Sequence, residues 1–294
     1  MDEGYLDAPD GRIWYRRVGS GGVPLLTLHG GPSIGGFYIA PMARLADERE
    51  VIFFDLIGCG RSDVLADPER YTVPYYVEQV EWVRKRLGIE RFHVFGNSWG
   101  GILGTYYLST YHPQALSFTV SNSIGDFARH HRELKELTER LPPDVRETIR
   151  WHEATGNVSC PEYVGAIAVV WQRHTCRLVP WPQELEDSFP VRDRQASARL
   201  FGQGRFALTG LLKDASLFPL YPKIQCPLLF IAGRYDMCDP EHMRDMHKAA
   251  AGSEFMLFEE SSHLPFIEEP ELFFSRYRDY LARVERGEVH PRAS

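Results

Sequence analysis

The stretch from Arg91 to Gly101 reads RFHVFGNSWGG and carries a serine placed where a hydroxyl can act as a nucleophile. An apolar, β-branched run (Phe92, Val94, Phe95) breaks at Gly96, and Ile102, Leu103, Tyr106 and Tyr107 recur at helical spacing. The pattern predicts a strand, a sharp turn and a helix, with Ser98 at the apex. Gly96-Asn97-Ser98-Trp99-Gly100 fits G-x-S-x-G, in which small flanking residues let the backbone fold tightly enough to expose the hydroxyl above a sheet edge. At a helix N-terminus, the dipole and free N–H groups also favour developing negative charge.

A serine hydroxyl is a weak nucleophile at its own pKa. It needs a base to take its proton, and that base needs an acid to fix its tautomer and steady its charge. After an elbow of this kind the expected chain order is Ser, then Asp or Glu, then His. Ser98, Asp236 and His263 meet it, each just past an apolar run. Asp239 is the rival acid, but it precedes Pro240 and reads as a helix N-cap. His29-Gly30-Gly31-Pro32-Ser33 follows a further apolar run, and its glycines let a backbone N–H approach a ligand. Gly31 is the candidate first oxyanion donor, and the N–H of Trp99, next to the serine, is the second. The Trp99 side chain fits core packing and a role in the site equally well. His29 reads as structural, and Asp55 and Arg61 as a turn held by hydrogen bonds. His130 and His131 read as a surface pair on a charged helix. No metal-ligand cluster or cofactor motif stands out.

These residues need a scaffold that brings distant strand ends together. Apolar strands are expected at Gly11 to Val18, Val23 to Leu28, Val51 to Phe54, Phe92 to Phe95, Leu116 to Val120, Cys226 to Gly233 and Glu254 to Phe258. Helices are expected at Thr72 to Leu87, after Gly101, at Glu241 to Ala250 and at Glu269 to Val284. Strands alternating with helices imply an α/β fold, a mostly parallel sheet with helices on both faces and ligands at the carboxyl ends of its strands. From Ile124 to about Tyr221 the chain turns rich in charge, Pro and Trp, with helical periodicity at Arg129 to Leu141 and Cys160 to Cys176. This predicts a core of residues 1–123 and 223–294 interrupted by a helical cap over 124–222.

With 294 residues, 44% of them hydrophobic, the chain can bury a large core. A formal net charge of -7 argues against a nucleic-acid partner, which calls for a basic face. Five scattered cysteines without a C-x-x-C pair fit a reducing compartment. The acidic start MDEGYLDAPD lacks a signal-peptide pattern, and no apolar run approaches membrane-spanning length. A cytoplasmic protein acting on a small molecule or short peptide, without membrane or nucleic acid, is the expectation. Spacing along the chain does not encode its oligomeric state.

Taken together, HGGPS at His29, DLIGCGRSD at Asp55, GNSWGG at Gly96, GRYD at Gly233 and SSH at Ser261 resemble the α/β-hydrolase fold and, within it, the proline iminopeptidase family. The likeness is closest to the branch that includes tricorn-interacting aminopeptidases and L-amino-acid amidases. It extends to RHTCRLVPWP (Arg173 to Pro182) and to the run from Phe206 to Asp214. The resemblance implies a catalytic triad of Ser98, Asp236 and His263, an oxyanion hole at Gly31 and Trp99, and a cap that roofs the pocket.

Three departures bear on the substrate. Ser33 and Leu56 stand where the family usually has Gly and Gln. Arg205 stands where members that recognise a free amino terminus tend to carry a glutamate. A guanidinium repels an ammonium and attracts a carboxylate or polar acyl group. Alternatively, Arg205 points to solvent and Glu162 or Glu153 serves the amine. The readings that follow are an aminopeptidase or amino-acid amidase and, as the alternative, an esterase or lactonase of a small metabolite. A ligand receptor is a third class, which the complete Ser, Asp and His set opposes.

Overall fold

The computed structural model describes residues 2–190, 193–204, 206 and 208–291. Its sheet comprises β1 (Asp2–Ala8), β2 (Gly11–Val18), β3 (Leu25–Leu28), β4 (Val51–Phe54), β5 (Phe92–Asn97), β6 (Ala115–Ser121), β7 (Leu228–Gly233) and β8 (Glu254–Phe258). The spatial order is β1-β2-β4-β3-β5-β6-β7-β8. β1 and β2 join as antiparallel strands, and every pairing from β4 to β8 is parallel.

Both faces of the parallel strands are covered, as their near-continuous apolar sequences require. In β7, Leu228, Phe230 and Ala232 enter one core and Leu229 and Ile231 the other. Likewise Ile52 and Phe54 of β4 face one side, Val51 and Phe53 the other. The period of two that separates them is the pleat itself. The first face is packed by α1 (Val73–Arg86) and α2 (Trp99–Tyr111).

Between β6 and β7 the chain forms α3 (Phe127–Glu139), α4 (Pro143–Thr155), α5 (Pro161–His174), α6 (Gln183–Glu186) and α7 (Gln195–Leu200), and the described residues there add no strand to the sheet. After β7 comes α8 (Pro240–Ala249), which joins α1 and α2 on the first face through Met243 and Met246. The second face is closed by α9 (Pro265–Glu268), α10 (Pro270–Glu285) and a 3-10 segment, Gly36–Leu45. Phe273, Phe274, Tyr277, Tyr280 and Leu281 of α10 are all buried there. No helix among the described residues is long and apolar enough to cross a membrane.

Local chemistry sets the helix starts. Thr72 accepts from the Tyr75 amide at 3.3 Å, Asp126 from Arg129 at 2.7 Å, and Asp239 from Glu241 at 2.8 Å. Glycine sets the approach of α2 to the sheet. A Cβ at Gly100 would lie 2.0 Å from the Leu28 carbonyl oxygen, and one at Gly96 2.4 Å from that of Gly100. The obstacle in each case is backbone, which cannot swing aside. Gly100→Ala is therefore expected to lower the free energy of unfolding by about 3 kcal/mol, read from the urea midpoint.

Candidate active site

Parallel register brings the strand ends level. Leu28 pairs with Gly96, Asn97 with Ser121, Ser121 with Ile231 and Gly233 with Phe258. The loops after β3, β5, β6, β7 and β8 therefore converge on one edge, and they carry Gly31, Ser98, Asn122, Asp236 and His263.

Ser98 has φ 57° and ψ -120°, an arrangement that only the surrounding packing can sustain in a non-glycine residue. Its N–H donates to Ser121 O at 2.9 Å, and its carbonyl accepts from Ser123 Oγ at 2.8 Å. Behind it, the Tyr38 hydroxyl donates to Asn97 Oδ1 (2.8 Å) and accepts from the Gly30 amide (2.6 Å). This ties the glycine loop to the elbow. Among the described residues Ser98 Oγ makes no hydrogen bond, and the Gly31 and Trp99 amides donate to no protein acceptor.

His263 Nδ1 lies 2.8 Å from Asp236 Oδ1, which leaves Nε2 for the cavity. Asn97 Nδ2 donates to the His263 carbonyl at 3.3 Å, so the histidine's backbone is tied to the residue preceding Ser98. Asp236 is buried and accepts two further bonds, from the Cys238 amide (3.0 Å) and from Asn122 Nδ2 (2.9 Å). Burial alone would lower the His263 pKa, but the charge and hydrogen bond of Asp236, aided by the charge of Glu268, raise it above its ordinary value.

Glu268 brackets the histidine. Its carboxylate accepts from the amides of Ser262 (2.8 Å) and Leu264 (3.2 Å), from Ser262 Oγ, and from the Arg177 amide across the inserted segment (2.9 Å). The His263 amide donates to Thr175 O at 3.2 Å. A general base works only when neutral, so kcat/KM should rise with pH through a midpoint above the ordinary imidazole value of about 6.5. Removing a nearby negative charge destabilises the imidazolium. Glu268→Gln is therefore expected to move that acid limb to lower pH by about half a unit, read from a pH profile of kcat/KM.

Ser98, His263, Gly31 and Trp99 line one cavity of about 430 Å³, whose walls also come from α3, α5, α7, Phe201 to Gly204, Phe206 and Leu208. Trp99 is buried and packs edge-on against Tyr76 (5.8 Å) and Phe201 (5.9 Å), so its side chain is both core and cavity floor. Asp239 is engaged in capping α8. His29 is structural: its ring accepts from the Leu56 amide at 3.1 Å and bonds Gly30 O at 2.7 Å. Asp55 is buried against Arg61 (2.8 Å) and the Gly36 amide (3.0 Å), and the guanidinium lies over the rings of Trp14 and Phe37.

Asp236, Cys238 and His263 lie within 4.8 Å of one another. Burial, then the charge of Asp236, holds the Cys238 thiol well above its ordinary pKa.

The candidate substrate residues are not gathered in this cavity. Glu162 is exposed in the first turn of α5. Glu153 accepts from the Tyr163 hydroxyl (2.8 Å) and the Phe206 amide (3.0 Å), facing a neighbouring groove. Arg205 lies outside the described residues. One expectation needs correcting: His130 and His131 are not a surface pair. α3 buries Phe127, His130 and Leu134 on a single stripe, and neighbouring residues on a helix face about 100° apart, so His131 stays half-buried while His130 turns into the cavity.

The family described as alpha/beta hydrolase fold matches residues 23–270. The proline iminopeptidase of Heyndrickxia coagulans is 31% identical over 286 residues, covering 96% of this chain and 99% of its own. Among solved structures, VinJ superposes with a TM-score of 0.91 at 31% identity, over 96% of this chain and 99% of that one. The proline iminopeptidase of Mycobacterium smegmatis gives 0.88 at 30% identity, over 98% and 100%. With sheet order, elbow and near-full-length similarity in agreement, this chain belongs to the α/β-hydrolase fold and, within it, to the proline iminopeptidase family.

Proposed function

We propose that this chain is a serine hydrolase that cleaves the amide or peptide bond of small substrates, as a prolyl aminopeptidase or an amino-acid amidase, through an acyl-enzyme on Ser98. The hydrogen bond between Asp236 and His263 in the cavity that also holds Ser98 carries this reading. His263 Nε2 takes the Ser98 proton as Oγ attacks the substrate carbonyl. The amides of Gly31 and Trp99 receive the oxyanion. Collapse of the tetrahedral intermediate expels the amine, which takes the proton from His263. Water then repeats the sequence against the acyl-enzyme. That Ser98 Oγ is unbonded before substrate arrives fits a contact that tightens in the Michaelis complex. The helices between β6 and β7 act as the cap, excluding water and shaping the acyl pocket. Five unpaired cysteines fit an intracellular setting.

One observation favours a second reading, an esterase or lactonase. Among the described residues no carboxylate lines the cavity, and apolar side chains such as Ile34, Ile102, Leu134, Ile167, Val170 and Phe206 dominate its wall. A panel of prolyl and alanyl p-nitroanilides, amino-acid amides and short p-nitrophenyl esters separates the two. Turnover of anilides or amides supports the peptidase reading, and turnover of esters alone selects the other.

A further inference from the structure

His130 is a buried titratable group that the mechanism above leaves unused. It is 7% exposed and lines the cavity that holds Ser98 and His263. Its Nδ1 is sealed from solvent without a hydrogen-bond partner, 3.8 Å from Glu133 Oε2. A buried polar atom without a partner costs free energy, which favours a small turn of the ring that brings Nδ1 to Glu133 and leaves Nε2 toward the cavity that the residue lines.

Glu133 is held in place from two helices. Its Oε1 accepts from Arg129 Nε on α3 at 2.6 Å, and its Oε2 from His242 Nδ1 on α8 at 2.9 Å. His242 Nε2 in turn accepts from the Gly125 and Asp126 amides, each at 3.1 Å, and Arg129 also meets Asp245 at 2.8 Å. Burial raises the Glu133 pKa, but the surrounding histidines and arginine outweigh it and keep the carboxylate ionised. Burial pushes His130 the other way, below its ordinary value, with Glu133 and Asp236 partly opposing. The imidazole thus keeps a lone pair to offer.

An aminoacyl substrate brings an ammonium N–H group, a secondary ammonium in a prolyl substrate, into a cavity whose described lining holds no carboxylate. We propose that His130, backed by Glu133, receives the amino or imino group of that substrate, with Nδ1–H turned toward Glu133 and Nε2 accepting the substrate N–H. The assignment rests on the aminopeptidase reading above. A carboxylate behind an imidazole fixes its tautomer and raises the basicity of its far nitrogen. The pair therefore delivers negative charge to the amine while the empty apolar wall is spared a bare carboxylate.

The test compares L-prolyl or L-alanyl p-nitroanilide, which carry the amine, with p-nitrophenyl acetate, which does not. In His130→Leu the ratio of kcat/KM for anilide over ester is expected to fall about ten- to a hundredfold, mainly through KM. In His130→Gln, whose amide oxygen can accept, part of that loss is expected to return. Labelling by a fluorophosphonate reports in each variant whether the Ser98 nucleophile is still competent, and if His130→Leu does not label, the ratio is read from His130→Asn.

An unchanged ratio, or parallel loss on both substrates, overturns the assignment and leaves His130 as packing. A wild-type protein that labels and cleaves the ester but no anilide ends the aminopeptidase reading itself, and this assignment with it. Anilide cleavage with an unchanged ratio in the variants removes only the assignment.

Discussion

Ser98→Ala is expected to lower kcat/KM by about 10⁴- to 10⁶-fold on any substrate the protein cleaves, because the proposed acyl-enzyme route begins from this hydroxyl. The remaining rate reflects whatever the oxyanion donors and the binding cavity supply to attack by water. The structural cost should be small. Ser98 Oγ makes no hydrogen bond among the described residues, so its removal orphans no buried partner. Alanine still carries a Cβ, so the strain of φ 57° persists and the melting temperature should stay close to that of the parent. Ser98→Gly provides the complement. It removes the hydroxyl and the strain together, and should be inactive yet more stable by about 1 kcal/mol. Steady-state kinetics with thermal denaturation of both variants separates a lost nucleophile from a disturbed fold. Activity surviving in Ser98→Ala within tenfold of the parent would remove the serine mechanism.

What the sequence made legible is what local pattern encodes. The turn at Gly96 to Gly100 could be read because its glycines are forced by contacts within a few residues or with the adjacent strand. The parallel sheet could be read because alternate residues of β4 and β7 are all apolar, which only two covered faces require. The edge strand β1 went unread. It is half exposed and carries Asp2, Glu3 and Asp7, charges that suit an edge by discouraging further pairing but hide the hydrophobic signal.

The groups that hold the site were harder still. Asn122 reaches Asp236 across 114 positions and Tyr38 reaches Asn97 across 59, and no short-range periodicity records either contact. The φ of 51° at Asn122 is what directs it at the acid, and that angle exists only in the folded chain. His130 is different, because its signal was present. Phe127, His130 and Leu134 follow helical spacing, so the face of the helix, and not the adjacency of two histidines, was the informative feature.

Asp236→Asn is expected to cost about 10³- to 10⁴-fold in kcat/KM, and the hydrogen bonds around the carboxylate give the reason. All three protein partners of Asp236 are donors: His263 Nδ1–H and the Cys238 amide on Oδ1, and Asn122 Nδ2 on Oδ2. The orientation of Asn122 is fixed independently, since its Nδ2 also donates to Ser262 O at 2.9 Å while its Oδ1 accepts from Ser121 Oγ at 2.8 Å. A carboxylate has acceptors on both sides, whereas an amide has one. With the new NH₂ toward His263, the imidazole must present a lone pair at Nδ1 and carry its proton on Nε2, where it cannot accept from Ser98. That orientation also sets NH₂ against the Cys238 N–H. With NH₂ turned the other way, it meets the amino group of Asn122. Either choice leaves two donors facing each other in a buried site, so a loss of stability of about 1–3 kcal/mol should accompany the loss of rate. The raised pKa of His263 should fall as well, because the charge of Asp236 is its main support. Kinetics, denaturant midpoint and the acid limb of the pH profile read these effects separately. If activity in Asp236→Asn stays within about tenfold of the parent, Asp236 is not the acid, and Asp239 would have to leave its place at the start of α8 to take that part.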